Sequence, residues 1–74
     1  MKYEVFNSKA FNAMKQYQEQ HHLSLTEMER QSYISRMSIR HWLDHEPDIV
    51  RDTSNAKIIA FNQAHGLYTG KDDK

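Results

Sequence analysis

Residues 24–45, SLTEMERQSYISRMSIRHWLDH, read as two short helices joined by a tight turn. Thr26 is followed three residues later by Glu29, and Ser35 stands just before a second apolar-periodic stretch. Each helix is therefore expected to open on a hydroxyl that caps orphan backbone N–H groups. Two starts so close in sequence leave the first helix only about two turns. The second must cross it steeply to bury Met28, Ile34, Ile39 and Trp42 together. That arrangement is a helix-turn-helix.

Working outward, residues 1–6 alternate polar and apolar through Tyr3 and Val5, the pattern of a short strand or extended arm. From Asn7 or Ser8 a helix is favoured, with Ala10, Ala13, Met14, Tyr17 and His21 spaced along one face and Phe6 packed on its first turn. Downstream, Glu46-Pro47-Asp48 ends the third helix, about 36–45, because proline lacks the N–H and restricts its predecessor. Ile49 and Val50 are expected to return to the core. Asp52, Thr53 and Ser54 offer caps for a fourth helix with Ala56, Ile59, Ala60 and Gln63 on one side and Ile58, Phe61 and Ala64 on the other. Gly66 stops it, Leu67 and Tyr68 pack back, and 69–74 is expected to be a frayed tail. The expectation is one all-α domain over 1–74, with a core at about 7–68, four to five short helices including the helix-turn-helix, and a short N-terminal strand or arm.

A chain of 74 residues buries only ~60% of its unfolded surface, which leaves no room for a deep catalytic cleft. Serine, histidine and aspartate are present, but no motif orders them for catalysis, so neither an enzyme nor a cofactor is expected. The absence of cysteine excludes disulfides, thiolate metal sites and thiol nucleophiles. With no signal-peptide pattern and no apolar run of bilayer length, the expected setting is the cytoplasm, without membrane contact. Lysine plus arginine equals aspartate plus glutamate at 10 each, an unhelpful total for a nucleic-acid binder. The distribution is more informative. Between Arg30 and Leu43 the charged residues are Arg30, Arg36 and Arg40, with His41 available and no acid; Asp44, Glu46, Asp48 and Asp52 follow, opposed only by Arg51.

Across roughly residues 10–67 the chain resembles the helix-turn-helix family of phage lambda Cro and repressor proteins. The resemblance rests on Leu23-Ser24 after a first amphipathic helix, on the apolar positions Met28, Ile34, Ile39 and Trp42, and on Gly66-Leu67 after the last helix. Leu25 stands where that family usually has glutamine, and Glu29 where it has a small residue. Tyr33 replaces the glycine of the turn, and its poor tolerance of positive φ makes a different turn the expectation. The chain is also similar to small regulators in the lysis-lysogeny switches of temperate phages, including the lactococcal modulator-of-repression type. The resemblance implies a transcriptional regulator in a genetic switch.

If the third helix enters a major groove, its N-terminal residues face the bases while Ile39, Trp42 and Leu43 face inward. Arg36 is then the main base reader, through guanine O6 and N7, and Met37 meets a thymine methyl. Arg40 and His41 reach further bases or phosphates, and Ser35 and Ser38 hold phosphate near the positive helix end. Useful specificity requires a homodimer on half-sites about one DNA turn apart, roughly 34 Å, with the fourth helix, Leu67 and Tyr68 as the dimer surface. The alternative is an antirepressor or corepressor that binds a partner repressor through Met37, Asp44, Glu46 and Asp48, with little DNA affinity of its own. His41 and His45 have a zinc-chelating spacing, but Trp42-Leu43-Asp44 between them lacks the metalloprotease glutamate, and no metal is expected.

Overall fold

The computed structural model describes residues 2–69. It runs β1 (Tyr3–Val5), α1 (Ser8–Gln20), α2 (Leu25–Ser32), α3 (Arg36–Asp44), β2 (Ile49–Arg51) and α4 (Asp52–Ala64). The fold is mostly helical, with the N-terminal strand paired antiparallel to β2 in the register Tyr3–Arg51, Glu4–Val50 and Val5–Ile49. The alternation that marks β1 thus finds a partner in a segment expected only to tuck inward. Val50 does so, whereas Ile49, one residue earlier in a period of two, points out and is 57% exposed.

The first helix opens on Asn7, whose Oδ1 accepts from the Ala10 N–H at 3.2 Å. Its buried face is Ala10, Phe11 and Met14 rather than one centred through Ala13. Aromatic packing turns it that way: Phe6, Phe11 and Trp42 lie 5.3–5.7 Å apart and join ribbon, α1 and α3. His21 lies at the exposed end of α1, its ring 4.3 Å from that of Tyr17.

The cap of α2 is Ser24, not Thr26. Ser24 is extended, and its hydroxyl accepts from the Glu27 N–H at 3.1 Å, which leaves Thr26 inside the first turn. The box spacing is therefore Ser24 to Glu27. Ser35 caps α3 as expected, accepting from the Met37 N–H at 3.2 Å. Between these helices Tyr33 adopts the left-handed conformation, with φ 62°. The turn accordingly has the geometry that favours glycine despite the tyrosine. Local bonds hold it: the Tyr33 N–H donates to Glu29 O at 2.9 Å, and Ser32 Oγ donates to Met28 O at 2.7 Å while accepting from the Ile34 N–H at 3.2 Å.

For α4 the expected side-chain caps at Asp52, Thr53 and Ser54 do not form, because the helix issues directly from β2 with Arg51 as its cap residue. The ribbon supplies one bond instead, from the Asp52 N–H to Lys2 O at 2.9 Å. One side of α4 is buried, through Asn55, Ile58, Phe61 and Asn62. The expected side of Ala56, Ile59, Ala60 and Gln63 is exposed apart from half-buried Ile59, and Ala64, expected beside Ile58 and Phe61, is exposed as well because it lies at the last turn. Gly66, at φ 68°, ends the helix, and Leu67 returns to the core while Tyr68 stays 43% exposed.

Two buried asparagines stitch the ends together. Asn62 Nδ2 donates to Ala10 O at 2.8 Å and Tyr68 O at 2.6 Å. Asn55 Oδ1 accepts from the Asn7 N–H at 3.1 Å, and its Nδ2 donates to Val5 O at 2.9 Å and Glu4 Oε1 at 3.0 Å, so its amide lies along the outer edge of β1. Thr69, expected at the start of the frayed tail, accepts from Asn7 Nδ2 at 3.2 Å; the rest of that tail, 70–74, lies outside the described residues.

Candidate nucleic-acid interface

The interior of the two-helix unit is the one expected from sequence: Met28, Ile34, Ile39 and Trp42 are all buried. Their burial turns the opposite face of α3 outward, exposing Arg36, Met37, Arg40 and His41, with Ser38 half-buried beside them. Ser35, at the cap, is exposed next to the first turn. Leu43, expected inside, is 38% exposed. It sits roughly 70° round the helix from the middle of the arc that Ile39 and Trp42 bury.

Arg36 Nη1 donates to Thr26 Oγ1 at 3.3 Å, tying the first turns of α2 and α3 together. A shallow recess of about 380 Å³ beside this contact is lined by Leu25, Arg36, Met37 and Arg40. Leu25 and Thr26 were not among the sequence-derived site residues. The signal for Leu25 was its place at a helix start where a polar residue is usual; nothing in the sequence alone pointed to Thr26 as a partner of Arg36.

At its two ends α3 carries Arg36 and Asp44 against its dipole, although His41 stands in the last turn, where a cation is favoured. Its first turn holds no acid and begins with Arg36, while its last residue is Asp44. A helix favours anions at its N-terminus and cations at its C-terminus, so both placements cost stability. Among the described residues the ion pair found is Arg30 to Glu27, at 3.4 Å, which leaves the guanidinium groups of Arg36 and Arg40 without a carboxylate partner there. The outer face of α3 thus presents Arg36 in its first turn and Arg40 one turn on, without ion pairs among the described residues, beside Met37, which is 76% exposed.

Asp44, Glu46 and Asp48 are exposed at the other end of α3 and on the connection to β2. Met37 and Asp44 lie on one stripe of the helix, roughly 10 Å apart along its axis. Ser35, Arg36, Met37, Arg40 and His41 are thus exposed along the cap and first two turns of α3, Asp44 follows one turn after Arg40 on the same face, and Glu46 and Asp48 lie beyond the helix. The rings of His41 and His45 lie 6.4 Å apart, and among the described residues no group of three or more metal-ligating side chains comes together. No helix among them is long and apolar enough to cross a membrane. No family model matches this chain, and comparison with curated proteins and with solved structures returns no match.

Proposed function

We propose that the protein is a small transcriptional regulator that recognises duplex operator DNA with α3 as its reading helix. The observation that carries this reading is an exposed methionine beside two arginines that have no carboxylate partner among the described residues on the outer face of α3, the first of them, Arg36, at the end where the helix dipole disfavours cations. An arrangement that costs stability is explained by an anionic ligand. A guanidinium fork fits guanine O6 and N7, a methionine side chain fits a thymine methyl, and Ser35 with the first-turn N–H groups suits phosphate. The test is titration of fluorescent duplexes from the neighbourhood of the protein's own gene against duplexes of scrambled sequence. Arg36→Ala should lose about 1–3 kcal/mol of discrimination at one base pair. Equal affinity of the wild-type protein for both duplex sets would overturn the reading.

The second reading, a modulator that binds a repressor protein, is favoured by the apolar recess at Leu25 and Met37 and by the exposed acidic run that starts at Asp44. Adding the product of the adjacent gene to the same titration separates the two. A complex that forms without DNA and is lost in Met37→Ala would favour the modulator.

A further inference from the structure

The two outer edges of the ribbon differ. The Phe6 N–H donates to Asp48 O at 3.0 Å and the Asp52 N–H to Lys2 O at 2.9 Å, so the even-numbered residues turn their backbone groups toward the facing strand. Those of Tyr3, Val5, Ile49 and Arg51 consequently point away from it. On β1 the Asn55 amide takes the outward Val5 carbonyl and the Asn7 N–H just past the strand, covering the end of that edge. On β2, no hydrogen bond to the N–H of Ile49 or Arg51 is found among the described residues. Val5 and Ile49 lie side by side on the outer face of the ribbon, 78% and 57% exposed.

We propose that a second copy of this chain adds to the outer edge of β2, antiparallel and centred on Ile49, to build a four-stranded sheet about a two-fold axis. This register satisfies three separate features. Backbone groups match: Ile49 exchanges two hydrogen bonds with Ile49 of the second copy, and the Arg51 N–H meets Pro47 O. The Arg51 carbonyl is committed to starting α4 and Pro47 has no N–H, so that pair needs no reciprocal bond. Apolar side chains also match, since Val5, Ile49 and their two counterparts form one unbroken row across the sheet.

Charge decides between registers. Arg51 has no carboxylate partner in its own chain among the described residues, and here it falls opposite Pro47, at the end of the sheet that Glu46 and Asp48 of the second copy make acidic. Centring on Val50 would set Asp48 against Asp52, and centring on Arg51 would set arginine against arginine. The contact is isologous, so it joins like with like. It does not rest on DNA recognition.

Sedimentation equilibrium without DNA tests the proposal, with circular dichroism to check that each variant folds. The wild type should sediment at twice the chain mass. Arg51→Glu alone and Glu46→Lys/Asp48→Lys alone should each weaken self-association at least tenfold, because each sets like charges across the axis. Mixed in equal amounts, the two variants should recover a heterodimer in which both charge contacts are opposite in sign. The Ile49 amide should exchange more slowly as protein concentration rises. A wild type that stays monomeric at millimolar concentration would overturn the proposal. So would a dimer indifferent to these charges, or one broken instead by Ala60→Glu on α4.

Discussion

On the proposed reading, Arg36 would serve binding against the fold that carries it. At the first position of α3 it opposes the helix dipole, so Arg36→Glu should stabilise the free protein by about 0.3–1 kcal/mol in urea denaturation while removing duplex binding. A destabilised variant would show that Arg36 is there for structure, through its bond to Thr26. Tyr33 presents the converse case, in which a side chain is tolerated rather than used. It is 80% exposed and left-handed, so Tyr33→Gly loses little packing and relieves backbone strain. The melting temperature should rise, by an amount equivalent to about 0.5–1 kcal/mol after glycine's greater unfolded-state entropy is subtracted. No rise would mean that the Ser32 bonds already relieve the turn.

Among the elements, apolar spacing was the legible signal. It placed the interior of the two-helix unit correctly, since residues three and four apart must share a helix face whatever the rest of the chain does. Features set by long-range contacts were not legible. Nothing local distinguishes Ile49-Val50-Arg51 as the partner of Tyr3-Glu4-Val5, and Asn55 and Asn62 read as ordinary polar positions until the backbone groups they satisfy are in place. The outward face of α3 follows from the buried one, but its contact with Thr26 depends on how steeply α2 and α3 cross. The cap of α2 lay between these cases, because two hydroxyls stood within reach. Ser24→Ala should cost about 0.5–2 kcal/mol by denaturant titration, and Thr26→Ala only a few tenths. The reverse order would restore the later helix start.

At the scale of the molecule, zero net charge shapes how DNA would be held. A copy that brings Arg36 and Arg40 to the duplex displaces few counterions, so log K should fall against log salt with a slope of roughly −2 per copy. A slope several times steeper, measured by anisotropy over a salt series, would require a basic surface that the α3 face does not present.

The asparagine at the ribbon has a different kind of consequence. An exposed strand edge is a template on which further chains can polymerise. The amide of Asn55 takes the Val5 carbonyl and the Asn7 N–H at one edge of this ribbon and leaves the edge of β2 clear, so a strand that paired along β1 would have to displace it. The same residue that fastens α4 to the N-terminal strand would then bias the ribbon against open-ended growth through its β1 side.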